Sequence, residues 1–231
     1  MPPRQPTASP SSGPSPTAPA APRRRSYDQY CAVARSLDAV GDRWSLLIVR
    51  ELLAGPRRYT DLHADLPGVS TDVLASRLKD LEREGLATRR RLPPPTAAHV
   101  YELTPRGAEL LPVLTALAAW GVPELAEPRP TDAVRAHWYA VPLLALLDPL
   151  GVPGVLDVTL EDGVFHLRLG ARDAARYGDG PAAGADAGLA LSAATCRELT
   201  AGRLTLADGV RDGLVTVAGE GPLAAALRAA G

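Results

Sequence analysis

Residues 67–103 have the sequence PGVSTDVLASRLKDLEREGLATRRRLPPPTAAHVYEL, in which a turn, a helix and a hairpin follow one another. The turn over residues 67–69 precedes Ser70 or Thr71, and either side chain has the oxygen that a helix N-cap needs. Gly85 ends the helix. Between these limits apolar residues recur at helical spacing and predict a single buried stripe, which consists of Leu74, Leu78 and Leu81.

The residues after Gly85 predict a β-hairpin. Leu86–Leu92 and His99–Leu103 are two short candidate strands. The proline-rich residues 93–98 between them form the tip, because proline lacks the N–H that a strand ladder requires. A short helix, Thr60–Leu66, precedes the turn at residue 67. Helix, turn, helix and hairpin in this order are typical of a winged helix-turn-helix.

Further helices are predicted on either side of this unit. They span Cys31–Val40, Trp44–Ala54 and Thr104–Gly121. Thr104 is an N-cap candidate, and Pro105 suits the first helical position because an N–H there would have no partner. Pro112 lies inside the last helix and is expected to bend it.

A change of composition separates the second half of the chain. Pro and Glu dominate residues 123–130, which we interpret as a linker, and residues 171–186 form a predicted polar loop. Gly163 is expected to take a positive φ between two strands that alternate apolar and polar residues. The other predicted elements are helices over residues 132–147, 193–201, 206–212 and 222–230 and strands over 155–160, 164–169, 189–191 and 214–217.

The predicted fold class is a mainly α winged helix-turn-helix domain followed by a smaller α+β domain. The first residues are rich in proline and poor in large apolar side chains, so they cannot offset the entropy of ordering. The predicted units are a disordered tail at 1–25, a DNA-binding and dimerisation domain at 26–122, the linker at 123–130 and the α+β domain at 131–231.

Charge is divided unevenly along the chain. The formal net charge is -1, yet residues 1–122 carry 16 basic and 12 acidic side chains, whereas residues 123–231 carry 9 and 14. This split fits a DNA-binding module joined to a module that does not touch DNA. The two cysteines form no disulfide or zinc pattern, and no apolar run approaches the roughly 20 residues of a membrane helix. We expect a cytoplasmic, nucleoid-associated bacterial protein with no membrane partner, metal or cofactor.

The first domain resembles the HxlR-type regulators. The segments that carry the resemblance, in family order and spacing, are Cys31–Arg35, Gly41–Ile48, Gly55–Leu62, Leu103–Gly107 and Ala119–Gly121. One departure is Ala32, where members often have proline. The resemblance implies a homodimer that binds a palindromic operator in double-stranded DNA. It does not account for the residues after Gly121.

The second domain is similar in its order of elements to the sterol-carrier-protein type 2 fold. The similarity is clearest over Leu189–Ser192, Leu199–Gly202 and Leu206–Gly213. It implies an apolar pocket for a small hydrophobic effector, and the alternative is a solid core made by the same side chains. The candidate pocket residues are Trp138, Leu144 and Phe165.

Contacts with DNA are predicted on the helix face opposite the leucine stripe and on the first strand of the hairpin. The candidate groove contacts are Ser70, Thr71, Asp72, Ser76 and Arg77. Lys79, Arg90 and Arg91 are candidates for phosphate contacts, and the two arginines alternate between the faces of their strand. The alternative is an ordinary charged surface helix.

Two further hypotheses concern assembly and regulation. The last helix of the first domain is more apolar than one small domain needs, which predicts a dimer contact or packing against the second domain. The candidate dimer residues are Leu110, Leu114, Leu117 and Trp120. Cys31 begins a helix, a position that favours thiolate chemistry, and some HxlR-type proteins use a cysteine there as an oxidant sensor. The alternative for Cys31 is a small apolar filler.

The sequence offers few groups that converge for catalysis. The 4 histidines are scattered, and Gly219-Glu220-Gly221 lacks the Gly-Lys-Ser/Thr of a phosphate loop. We expect no catalytic residues and a sequence-specific DNA-binding transcriptional regulator, controlled by a hydrophobic ligand or by thiol oxidation. The alternative is a ligand-binding or interaction module in which the second domain has the main function.

Overall fold

A computed structural model of the protein describes residues 26–96, 98–125, 128–171 and 175–230. Residues 26–125 are called the N-terminal half below, and residues 128–230 the C-terminal half. The tail predicted to be disordered, residues 1–25, lies outside the described residues. Within the described ranges, no helix combines the length and the apolar character that crossing a membrane requires.

Short helices and a small antiparallel sheet form the N-terminal half. The helices are α1 (Ala32–Val40), α2 (Ser45–Leu53), α3 (Tyr59–Asp65), α4 (Thr71–Arg83), α5 (Pro105–Ala108) and α6 (Leu111–Gly121). The strands are β1 (Arg57–Arg58), β2 (Ala87–Arg91) and β3 (His99–Leu103), and they lie in the order β1-β3-β2. The predicted winged helix-turn-helix is confirmed, with α3 and α4 as the two helices and β2 and β3 as the wing.

Helix α4 is fixed by a local cap and by a buried face. The Ser70 Oγ accepts a hydrogen bond from the Val73 N–H at 3.3 Å, so Ser70 is the N-cap. Leu74, Leu78 and Leu81 are all at most 1% exposed, as predicted. Burying a leucine side chain contributes about 1.5–3 kcal/mol. The stripe therefore holds α4 firmly against the core and leaves its opposite face free.

The prediction of a single bent helix over Thr104–Gly121 is wrong, because the chain forms two helices, α5 and α6, instead. The Thr104 Oγ1 does cap α5, accepting a hydrogen bond from the Gly107 N–H at 3.1 Å. Pro112 lies in the first turn of α6, where its missing N–H costs nothing. In a continuous helix its ring would clash with the carbonyl of Ala108, so the helix ends before it.

A second sheet and its flanking helices form the C-terminal half. The elements are α7 (Ala140–Leu147), β4 (Gly154–Leu160), β5 (Gly163–Leu169), β6 (Tyr177–Asp179), β7 (Ala187–Leu191), α8 (Ala193–Thr200), α9 (Leu206–Arg211), β8 (Val215–Ala218) and α10 (Pro222–Ala229). The sheet order is β6-β5-β4-β7-β8, with β4 and β7 parallel and the other neighbours antiparallel. The β4–β5 hairpin has Gly163 at φ 143°, which confirms the predicted positive φ.

Two predictions for the C-terminal half are wrong. The helix predicted from residue 132 begins only at Ala140, after a 3-10 turn over Ala136–Tyr139. Pro142 explains the late start, since proline is tolerated in the first turn of a helix but not in its interior. The loop predicted over residues 171–186 contains β6. A Cβ on Gly178 of β6 would lie 2.6 Å from the His166 ring, so this short strand needs glycine to pair with β5.

Candidate nucleic-acid interface

The exposed face of α4 carries most of the predicted groove residues. Thr71, Asp72, Ser76 and Lys79 are exposed, opposite the buried leucine stripe. The N-cap Ser70 is also exposed at the start of the helix. The arrangement offers hydroxyl, carboxylate and ammonium groups to a partner, and the N-terminal turn of α4 has the positive end of the helix dipole.

Arg77 differs from the other predicted groove residues because its side chain is engaged within the chain. Its guanidinium forms ion pairs with Asp42, in the loop between α1 and α2, and with Asp80 at 3.2 Å. The side chain of Arg77 is 20% exposed. A base contact by Arg77 would require these pairs to open, so its groove contact stays a prediction.

The wing arginines differ in whether their side chains are already paired within the chain. Arg90 forms a bidentate ion pair with Glu102 on β3, with nitrogen to oxygen distances of 3.0–3.1 Å. Arg89 and Arg91 flank it and are exposed. Since Glu102 already neutralises Arg90, the geometry favours Arg91 over Arg90 for phosphate binding.

Both α1 and α6 carry exposed apolar side chains. On α6 Trp120 is 79% exposed and Leu117 46% exposed, whereas Leu114 is 6% exposed and packs in the core of its own chain. Leu110 is half-buried against the same core. The predicted dimer set is therefore divided: Leu117 and Trp120 are available to a partner, and Leu114 is not. Further apolar residues exposed on or near these helices are Tyr30, Val33, Leu37 and Val113.

Cys31 is exposed at the start of α1, where it occupies the N-cap position without a side-chain cap hydrogen bond. Within a single chain Cys31 therefore fills no internal space, and its role as an oxidant sensor stays a prediction. Cys196 is fully buried in α8, and burial raises the pKa of its thiol to about 12. The two cysteines thus differ sharply in access to solvent.

The most unexpected feature is a fully buried carboxylate, Glu51, where the two halves meet. Glu51 lies on α2, and its side chain is 0% exposed. The Arg50 guanidinium binds one oxygen at 2.6 Å, and the Trp138 Nε1 donates to the same oxygen at 3.0 Å. The His137 Nε2 lies 2.8 Å from the other oxygen. A buried charge is tolerated only with such partners, and two of the three come from the C-terminal half.

His137 bridges two carboxylates. Its Nδ1 lies 2.9 Å from Asp179 on β6, and its Nε2 faces Glu51. Carboxylates accept hydrogen bonds, so both ring nitrogens donate and the imidazole is charged. Burial alone would lower the pKa of His137, but the hydrogen bonds to Asp179 and Glu51 raise it to about 9. The hydrogen bond from His137, together with that from Arg57, holds the pKa of Asp179 far below its ordinary value.

Arg57 of β1 completes this group, which we call the junction cluster (Glu51, His137, Asp179 and Arg57). The Arg57 guanidinium lies 2.5 Å from Asp179 and 3.9 Å from Asp65. Ligand atoms of Glu51, Asp65 and His137 lie within 4.8 Å of one another, a spacing that a metal ion can use. The direct contact between Glu51 and His137 and the nearby arginines already balance the charges without an ion.

Other contacts join the end of α2 to the C-terminal half. The Tyr177 hydroxyl donates to the carbonyl of Arg50, and the Arg176 N–H donates to the carbonyl of Leu53 at 3.1 Å. The Arg50 guanidinium also lies over the Trp138 ring, 4.5 Å from its centroid. The two hydrogen bonds satisfy carbonyls that the last turn of a helix leaves without partners.

A polar cleft of about 380 Å³ opens beside the junction cluster. Arg57 and Asp179 line it together with His166 and Arg168. The predicted ligand residues do not line this cleft: Leu144 and Phe165 are fully buried in the C-terminal core, and Trp138 binds Glu51. An apolar pocket at these residues stays a prediction.

Sequence reasoning missed Glu51, Asp179, Arg57 and strand β1. The one local signal was a charged residue within the apolar run of α2, since an acidic side chain in a buried helix requires a partner. The two partners of Glu51 in the C-terminal half lie 86 and 87 residues further along the chain. No spacing rule connects positions so far apart.

Comparison with known proteins finds relatives for the N-terminal half. A family model described as "HxlR-like helix-turn-helix" matches residues 39–128. The protein named "Uncharacterized HTH-type transcriptional regulator YvaP" of Bacillus subtilis (strain 168) is 38% identical over 86 residues, which is 37% of this chain and 80% of YvaP. "HTH-type transcriptional regulator YodB" of the same organism is 36% identical over 81 residues, which is 35% of this chain and 72% of YodB.

A solved structure, "Reduced form of the transcriptional regulator YodB from B. subtilis", is 32% identical with a TM-score of 0.38 and covers 44% of this chain and 99% of that chain. The winged helix-turn-helix and the sequence matches together define a DNA-binding transcriptional regulator. The chain belongs to the HxlR-like helix-turn-helix family.

Proposed function

We propose that the protein acts as a homodimer that places two copies of α4 in successive major grooves of a palindromic operator. The observation that carries this proposal is the exposed polar face of α4, with Thr71, Asp72 and Ser76 opposite a fully buried leucine stripe. Residues at the N-terminal end of a recognition helix enter the groove first, and later residues such as Lys79 reach phosphates. The DNA-binding domain is proposed to span residues 26–122, followed by the linker at 123–130.

Fluorescence anisotropy with the protein's own upstream DNA and a scrambled duplex, at two salt concentrations, tests this function. A preference of about 1000-fold or more for the upstream DNA is expected for a specific regulator. Lys79→Ala is expected to weaken binding to both duplexes equally, whereas Ser76→Ala reduces the preference. Arg203→Ala, on the exposed surface of the C-terminal half, is the control. Failure to enrich any sequence in a genome-wide selection would contradict the proposal.

Dimerisation is proposed to use the exposed apolar surface of α1 and α6. Two-fold symmetry then places the two α4 helices about 34 Å apart, one turn of DNA. Sedimentation at micromolar concentration is expected to show a dimer for the unaltered chain and a monomer for Trp120→Glu. Leu125→Glu, also at an exposed apolar residue but beyond α6, is the matched control. An unaltered chain that sediments as a strict monomer would refute the dimer.

Control by thiol oxidation is proposed to act at Cys31, because this side chain is exposed and lies on the α1 surface assigned to the dimer. Diamide takes two electrons and two protons from two thiols to form one disulfide, and we expect it to link the Cys31 thiols of two copies of the chain and so to change the DNA affinity of the unaltered protein. Cys31→Ser should abolish the response, and Cys196→Ser should retain it because Cys196 is buried. A response that survives in Cys31→Ser would remove Cys31 from this role.

A second candidate function is binding of a hydrophobic effector by a sterol-carrier-like domain over residues 131–231. The order of strands and helices after residue 154 supports the likeness. Leu144 and Phe165 fill the interior, so an apolar ligand must displace them. Native mass spectrometry of protein made in cells is expected to show a co-purified mass. A clean apoprotein mass and no thermal shift with lipids would favour a solid core and a purely structural or interaction role.

A further inference from the structure

Strand β1 connects the wing to the rest of the molecule. It follows α2 directly and pairs with the wing strand β3, with Arg57 opposite Tyr101 and Arg58 opposite Val100. On the other side of β3, Arg89 of β2 also lies opposite Tyr101. A continuous ladder therefore connects β1 through β3 to the strand that carries the wing arginines.

The side chain of Arg57 is largely shielded from solvent and forms an ion pair with the C-terminal half. It is 16% exposed, and its strong partner is Asp179 on the edge strand β6, at 2.5 Å. Asp65 of its own half lies at 3.9 Å, near the limit of an ion pair. Strand β1 has only two residues and runs directly into α3, and of the two ion pairs described for Arg57 the one with Asp179 is much the shorter.

The contacts of Asp179 continue back to the N-terminal half. Asp179 contacts the His137 Nδ1, and the His137 Nε2 contacts Glu51 on α2. Charges alternate in sign along Glu51, His137, Asp179 and Arg57. Glu51 and Arg57 belong to the N-terminal half, and His137 and Asp179 belong to the C-terminal half. The C-terminal half thus forms an ionic bridge between α2, which packs on α4, and β1, which pairs with the wing.

We propose that Asp179 is a positioning residue for DNA binding: acting through Arg57, it sets the angle of the wing relative to α4. This inference rests on the proposed contact between the wing and DNA phosphates. Loss of the Asp179 carboxylate would leave Arg57 with only the distant Asp65 and would release β1 from the bridge. The wing arginines would then reach phosphates in a smaller fraction of the bound molecules.

Asp179→Asn in the full-length protein tests the proposal. At 0.15 M salt the affinity for operator DNA is expected to fall about 5- to 10-fold, and the slope of log K against log salt is expected to fall by about one unit for each phosphate that the wing no longer reaches. Asp179→Glu should retain most of both quantities because it keeps the charge. Glu198→Gln is the matched control, since it removes the carboxylate partner of Arg203 at an exposed site in the same half.

A double-mutant cycle separates positioning from general stability. Arg57→Gln and Asp179→Asn should each weaken DNA binding, and the doubly altered protein should lose little more than either single variant, because Asp179 acts through Arg57. Additive losses would overturn the proposal. So would an Asp179→Asn protein that binds with unchanged affinity and salt slope, even if its melting temperature were lower. If the unaltered protein binds no operator, the proposed function fails first and the inference falls with it.

Discussion

Alkaline pH is expected to destabilise the protein through His137. The pKa of His137 is raised from 6.5 to about 9 by the carboxylates of Asp179 and Glu51, which outweigh the effect of burial. A histidine whose pKa is higher in the folded chain stabilises the fold while it is protonated. That contribution is complete below about pH 6.5 and is lost as the pH rises through about 9. The gap between the two pKa values corresponds to about 3 kcal/mol of unfolding free energy.

Urea unfolding followed by far-ultraviolet circular dichroism, from pH 6 to pH 10, measures this loss. His137→Gln keeps a hydrogen-bond donor but no charge, so it is expected to be less stable at pH 6.5 and to lose little more toward pH 10. His99→Gln, at an exposed residue of the wing, is expected to follow the unaltered protein. The difference between the unaltered protein and His137→Gln isolates the contribution of His137 to this loss.

Two results would refute this reasoning about the junction cluster. One is an unaltered protein whose unfolding free energy is flat between pH 6.5 and pH 10. The other is a His137→Gln protein with the same alkaline loss as the unaltered chain, because the titrating group would then lie elsewhere. Either outcome would mean that protonation of His137 does not stabilise the folded chain.

Three further predictions concern the N-terminal half. Leu78→Ala removes a fully buried side chain from the α4 stripe and is expected to lower the unfolding free energy by about 2–5 kcal/mol in urea. Gly107→Ala places a Cβ in steric clash with the Leu86 carbonyl oxygen and should lower the melting temperature, whereas Gly121→Ala, with nothing within 4 Å, should not. Arg91→Ala is expected to reduce the salt slope of DNA binding by about 0.9, and an unchanged slope would exclude a phosphate contact.

Local signals were sufficient for α4 and the wing. Ser70, the helical spacing of Leu74, Leu78 and Leu81, and the proline-rich tip each act within a few residues, so the sequence displays them directly. The same holds for Gly163 in the β4–β5 hairpin. The extent of α6 and α7 was less predictable, because Pro112 and Pro142 permit either a bend or a new helix start, and the surrounding packing selects one.

The candidate site also has some features that local sequence predicts and others that only the tertiary fold decides. The exposed face of α4 follows from helical periodicity, but the engagement of Arg77 by Asp42 depends on how the loop before α2 lies against α4. Leu114 and Leu117 have the same chemistry and lie three positions apart, yet only the first is buried. The junction cluster requires three segments far apart in sequence to meet, which is a property of the tertiary fold alone.

The hydrogen bonds at the end of α2 have a consequence for the construction of chimeric regulators. The carbonyl of Arg50 is capped by Tyr177, 127 residues further along the chain. If the C-terminal half were joined to another DNA-binding domain, Tyr177 would face a helix end that it does not fit. His137 would also lack the carboxylate of Glu51. Recombination between these halves is expected to succeed only when Glu51 and Arg57 are transferred as well, so the point of exchange lies before Glu51 rather than after α6.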